Sequence, residues 1–128
     1  MKLRVKNNSV RLRLTQAEVA RLAENGRVEE LIEFGVKPNQ RFVYALEIST
    51  ETEEIRAKLE NNRITILIPK TRAEDWTQSD RTGMETEQNI GDGKTLRLLI
   101  EKDFACLEPR RGEDDADAFP HPQQGKVC

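Results

Sequence analysis

The chain has 128 residues, 36% apolar and 34% charged, with a formal net charge of −2. That length supports one hydrophobic core, no stretch approaches the ~18 apolar residues of a membrane span, and the near-neutral balance supplies no global basic field for nucleic acid. Charge is nonetheless polarised: residues 1–14 carry five basic groups and no acid, whereas residues 108–128 carry five acids and three bases.

Leu3 and Val5, then Val10, Leu12 and Leu14, alternate with charged or polar residues, the period-two pattern of half-buried strands. Asn7-Asn8 between them suits a two-residue hairpin loop, because Asn tolerates positive φ. The register then pairs Val5 with Val10 and Leu3 with Leu12, and stacks Arg4 on Arg11 and Lys2 on Arg13 on the other face. Thr15 and Glu18 have capping-box spacing, with Leu14 and Val19 at the staple positions. Asn25-Gly26 is a stop signal, so a helix is predicted over residues 16–25. Val28, Leu31, Ile32 and Phe34 mark a third strand and Gly35–Gln40 a loop; Phe42, Tyr44, Leu46 and Ile48 alternate as a fourth strand.

After an acidic turn over Thr50–Glu54, Ile55, Ala57 and Leu59 precede Asn61-Asn62, and Ile64, Ile66 and Ile68 follow it. The same loop length pairs Leu59 with Ile64, Ala57 with Ile66 and Ile55 with Ile68. Pro69 closes the strand, and Thr71 with Glu74 repeats the capping-box spacing ahead of a short helix carrying Trp76. The polar, glycine-punctuated stretch Ser79–Gly93 reads as a long loop, with Gly91-Asp92-Gly93-Lys94 as a turn. Leu96, Leu98 and Ile100 mark a last strand running to about Phe104.

Val5–Leu12 resembles Leu59–Ile66, and each is followed by a Thr-x-Ala-Glu helix start, displaced by two residues in the second copy. This suggests a duplicated ββαβ unit. The expected fold class is α+β: six to seven strands in antiparallel hairpins, forming a curved sheet or partial barrel, with one clear and one short helix. Residues 1–107 form the body and residues 108–128 an acidic, Pro-containing strap packed on it.

Two constellations could carry chemistry. Like charges stacked across strands repel, so Lys2, Arg4, Arg11 and Arg13 need either carboxylates, for which Glu29, Glu33 and Glu47 are candidates, or a bound anion. Nucleic acid is disfavoured because no aromatic residue is interleaved with these bases. Cys106, just ahead of the tail, and Asp114, Asp117, His121 and Cys128 within it are zinc-type donors, although their spacing matches no established zinc motif. Cys106 and Cys128 could instead form a disulfide or remain thiols, and no cofactor is expected. Phe119, flanked by Pro120, is the expected anchor of the tail. A single His and the lack of nucleophile-elbow, phosphate-loop and dinucleotide signatures argue against an enzyme. Two cysteines and no apolar signal core point to the cytoplasm.

Lys2–Thr15, Tyr44-Ala45-Leu46, Ala73-Glu74-Asp75-Trp76, Glu101–Leu107, Gly112-Glu113-Asp114-Asp115, Asp117, Phe119-Pro120 and Pro122–Cys128 together resemble an uncharacterised bacterial family of short proteins, a domain of unknown function. The likeness covers nearly the whole chain and implies a bacterial source but no activity. The family pattern has Asn where His121 stands, so the resemblance does not support His121 as a ligand. The leading expectation is a non-catalytic cytosolic binding or accessory domain with a protein or small-molecule partner. A small enzyme or anion-binding domain built on the basic hairpin, and a metal-binding protein built on the tail, are the alternatives.

Overall fold

The computed structural model describes residues 1–104. The first hairpin forms as its alternation dictates: β1 (Lys2–Lys6) and β2 (Ser9–Leu14) pair antiparallel, with Val5 opposite Val10 and Arg4 opposite Arg11. Asn7 takes the left-handed backbone, φ 51°, that a two-residue loop needs. Helix α1 (Gln16–Asn25) starts on Thr15, whose hydroxyl accepts from the Glu18 N–H while the Glu18 carboxylate accepts from the Thr15 N–H. It stops on Gly26, which adopts the left-handed C-terminal cap at φ 76°. β3 (Arg27–Glu33) and β4 (Arg41–Ser49) follow, joined by a loop that includes a 3-10 turn over Pro38–Gln40.

The second half repeats this order as β5 (Arg56–Glu60), β6 (Arg63–Pro69), α2 (Lys70–Gln78), β7 (Gly83–Gly91) and β8 (Lys94–Lys102). Leu59 pairs with Ile64 and Ala57 with Ile66 as expected; Ile55 lies just before β5 and is buried in the core. The expected capping box at Thr71 and Glu74 does not form. Pro69 is the N-cap, with φ −57° and no side-chain cap, so both residues lie inside the helix. Pro69 occupies the place of Thr15, and the second helix start is not displaced.

The stretch read as a loop is also corrected, because Gly83–Gly91 is the edge strand β7, paired with β8. Its inward positions include Met84 and Gln88, and its outward ones are polar, so apolar alternation never builds up. The described residues therefore form eight strands, and the repeating unit is ββαββ. Gly91–Lys94 is the hairpin turn expected, with Asp92 and Gly93 at φ 54° and 70°.

The two units interlock. One sheet has the order β1-β2-β8-β7 and the other β3-β4-β6-β5, so each unit gives one hairpin to each sheet. The outer pairs are antiparallel hairpins, whereas the central pairs, β2 with β8 and β4 with β6, are parallel and join the units. Ser9 opposite Arg97 in the first sheet corresponds to Arg63 opposite Val43 in the second, each partner 54 positions from its counterpart. The loop asparagines clasp these seams: the Asn8 carbonyl accepts from the Arg97 N–H and the Asn62 carbonyl from the Val43 N–H, both at 3.0 Å. The sheets do not close into a hydrogen-bonded barrel.

Among the described residues one apolar cluster fills the interior, with Leu12, Leu14, Leu98 and Ile100 from one sheet and Leu46, Ile66 and Ile68 from the other. Each helix contributes one large peg at the equivalent place, Leu22 from α1 and Trp76 from α2, both 0% exposed. Lys102 lies over the Trp76 ring, 5.6 Å from its centroid, a cation–π contact.

The two helix starts make opposite predictions. Thr15→Ala removes a formed cap and should lower unfolding free energy by about 1 kcal/mol. Thr71→Ala removes an exposed side chain that caps nothing and should change it by less than about 0.5 kcal/mol. Urea denaturation of both variants checks this, and equal losses would contradict the assigned start of α2.

Candidate binding hollow on the second sheet

Alternation along each strand sends one set of residues to the core and the other to the outer face. On the first sheet the outer face carries the basic residues noted in the sequence. Arg11 holds Glu101 through two bonds, Nε to Oε1 at 3.1 Å and Nη2 to Oε2 at 2.8 Å, and Arg13 reaches the same carboxylate at 3.8 Å. Lys2 pairs with Asp103 at 3.0 Å, and Arg97 with Glu85. The carboxylates meeting Lys2, Arg11 and Arg13 thus come from the β8 end of their own sheet. Glu29, Glu33 and Glu47 belong to the other sheet.

The second sheet repeats this face with different residues. The counterparts of Arg11 and Arg13 are Thr65 and Leu67, and the counterpart of Glu101 is Glu47. Where the first sheet has guanidinium groups, the second has a hollow of about 250 Å³, lined by Arg27, Glu47, Lys58, Glu60, Arg63 and Thr65. Thr65 is only 3% exposed. Glu29 gathers two neighbouring cations, Arg27 at 2.8 Å and Arg63 at 3.0 Å. Among the described residues Glu47 makes no ion pair, although its counterpart Glu101 has two guanidinium partners.

Of the hollow's lining only Glu47 is singled out in the sequence, as a carboxylate for the basic hairpin, and the hollow itself is not foreseen. The signal was present: aligning the two Asn-Asn hairpins sets Thr65 on Arg11 and Leu67 on Arg13, a loss of two charges, and also sets Arg63 on Ser9 and Glu60 on Lys6, so the charge pattern of this face is rearranged between the copies. The tail candidates Cys106, Asp114, Asp117, Phe119, His121 and Cys128 lie outside the described residues. Among the described residues no group of three or more His, Cys, Asp or Glu side chains is placed to hold a metal ion. Among the described residues no helix is long and apolar enough to cross a membrane.

Among the described residues, displaced proton affinities gather in a latch beside α1, at the Met1 ammonium, Glu18 and Tyr44. The Met1 ammonium donates to the carboxylates of Glu18 and Glu30, and the Tyr44 hydroxyl donates to the Met1 carbonyl at 2.7 Å. Burial alone lowers the ammonium's pKa, but the bonds to Glu18 and Glu30 raise it on balance above its ordinary 8.0. Burial alone raises that of Glu18, but the bonds from the ammonium and from Thr15 hold it below its ordinary 4.5. Burial, then the charges of Glu30 and Glu18, raise the Tyr44 phenol. These groups satisfy one another, and the latch is structural.

A family model for a family of unknown function, DUF7009, matches residues 1–123, and the chain belongs to that family. No curated protein and no solved structure matches the chain.

The latch sets a pH window for stability. The lowered Glu18 value gives a contribution fully present above pH 4.5 and lost as pH falls through the lowered pKa. The raised ammonium value gives one fully present below pH 8.0 and lost as pH rises through the raised pKa. Urea midpoints should form a plateau between those limits, and Glu18→Gln should shrink both flanks relative to the parent. An unchanged pH profile in Glu18→Gln would contradict the latch.

Proposed function

We propose that this protein is a non-catalytic, cytosolic binding domain whose ligand site is the hollow on the outer face of its second sheet. The observation that carries this is the break in the internal symmetry. The same surface is filled on the first sheet by Arg11 and Arg13 around Glu101, and is left open on the second around Glu47. A half-buried carboxylate without a cationic partner is a cost that a fold can remove by pairing it, as the first sheet does. The second sheet keeps the carboxylate and has Thr65 and Leu67 where the pairing residues would be.

The hollow's size supports a small ligand or a single side chain. At about 250 Å³ it falls below the roughly 300–1,000 Å³ of sites that enclose drug-sized molecules. Its lining of Arg27, Lys58 and Arg63 with Glu47 and Glu60 suits a ligand bearing charge of both signs.

A panel of small charged compounds, comprising amino acids, polyamines, guanidines and dicarboxylates, screened by amide chemical-shift perturbation, tests the reading. At least one class should move the resonances of Glu47, Lys58, Arg63 and Thr65 together. Thr65→Arg, which restores the plug found on the first sheet, should abolish the effect while leaving the unfolding transition intact. Perturbations that spare these residues, or that persist in Thr65→Arg, would overturn the site.

A further inference from the structure

We infer that the group the hollow receives is a guanidinium, carried by arginine or an arginine-like ligand, an inference that rests on the hollow being the binding site. The molecule contains its own template. On the first sheet the carboxylate at this place is met by a guanidinium fork, with Nε and Nη2 of Arg11 bonded to different oxygens of Glu101 at 3.1 and 2.8 Å. That two-point, coplanar match is particular to guanidinium; an ammonium is a compact point charge and does not reproduce it. On the second sheet the backbone that positions the carboxylate is the same. Glu47 pairs across β4 with β3 and β6 in the register by which Glu101 pairs with β7 and β2. The side chains differ at more than the fork, because Gly83 and Ser9 of the first sheet correspond in register to Arg27 and Arg63; both of these guanidinium groups bond Glu29, so the Glu47 carboxylate still lacks a fork.

The surroundings favour an incoming guanidinium over one already present. Arg27 is the cross-strand partner of Glu47, yet its guanidinium bonds both oxygens of Glu29, at 2.8 and 3.0 Å. Arg63 also bonds Glu29, at 3.0 Å. Glu29 therefore draws the two nearby guanidinium groups to itself and leaves Glu47 to a ligand. Lys58 lies across from Thr65 and makes no ion pair among the described residues. Its ammonium supplies a counter-charge for the carboxylate of a free amino acid, or a donor for the backbone carbonyl of an arginine within a peptide. The guanidinium thus meets Glu47 and the Thr65 hydroxyl, and the other end of the ligand meets Lys58.

Isothermal titration of the full chain with four probes tests this: L-arginine, agmatine, N-acetyl-L-arginine amide and L-lysine. The three guanidines should bind at the hollow, and lysine about tenfold or more weaker, as expected when a bidentate charge-assisted pair is reduced to a point contact. Glu47→Gln should weaken L-arginine by about tenfold or more with an unchanged unfolding transition, and Thr65→Arg should abolish it. Stronger binding of L-arginine than of the capped amide assigns the site to the free amino acid; equal or stronger binding of the capped form assigns it to an arginine of a partner chain. Lysine binding as tightly as arginine, or Glu47→Gln leaving arginine binding unchanged, would overturn the inference. If other charged compounds occupy the hollow while all three guanidines fail, the guanidinium assignment falls and the binding site stands. If nothing occupies it, both fall.

Discussion

Parallel pairing between the two halves of the chain is the interaction on which everything else rests. Within each ββαββ unit the two hairpins do not pair with each other; β1-β2 goes to one sheet and β3-β4 to the other. An isolated two-stranded hairpin is marginal in water, so neither hairpin of a unit is provided for by its own half. Each becomes part of a four-stranded sheet only when β2 lies beside β8 and β6 beside β4. The helices make this geometry possible by carrying the chain from one sheet to the other, and their pegs Leu22 and Trp76 fill the interior between. Pairing residues 9–14 with residues 97–102 also means that the first sheet is incomplete until β8 is in place.

Because the interlock is built twice from one pattern, the differences between copies are informative. Some are structural substitutions of one device for another: Thr15 caps α1 through its hydroxyl, and Pro69 starts α2 through its fixed φ. The seams between sheets differ as well. The Gln88 amide both donates to the Ala57 carbonyl and accepts from its N–H, tying β7 to β5. At the other seam the counterpart of Gln88 is Ile32, and the ammonium of Met1 with Glu18 and Glu30 supplies the tie. Each of these breaks has a compensating contact. The replacement of Arg11 and Arg13 by Thr65 and Leu67 has none for Glu47 among the described residues, and this singles out the second sheet's outer face.

Much of the fold was legible from local chemistry. The register of the first hairpin, and two of the three expected pairs of the second, follow from a period of two and a two-residue Asn-Asn loop. The bounds of α1 follow from the capping box and Gly26. What failed did so for physical reasons. β7 is an edge strand whose inward residues include Gln88, bonded to a neighbouring backbone, so it shows no apolar alternation. The capping spacing of Thr71 and Glu74 was real as a pattern, but Pro69 had already begun the helix. The parallel seams had no sequence signal at all, because the usual sign of parallel strands is a βαβ crossover within one sheet, and here the partner strands come from different units. The hollow was hidden for a related reason: its residues are ordinary surface charges until the duplicated faces are superposed.

The proposed site requires that the two outer faces be versions of one design, with Glu47 placed to receive what Glu101 already holds. A crystal structure of Thr65→Arg tests this most directly. The introduced guanidinium should close over the hollow and bond both oxygens of Glu47 at about 2.8–3.1 Å, repeating the Arg11 and Glu101 pair. A guanidinium directed into solvent, or taken up by Glu29 or Glu60 with Glu47 still unpaired, would contradict it.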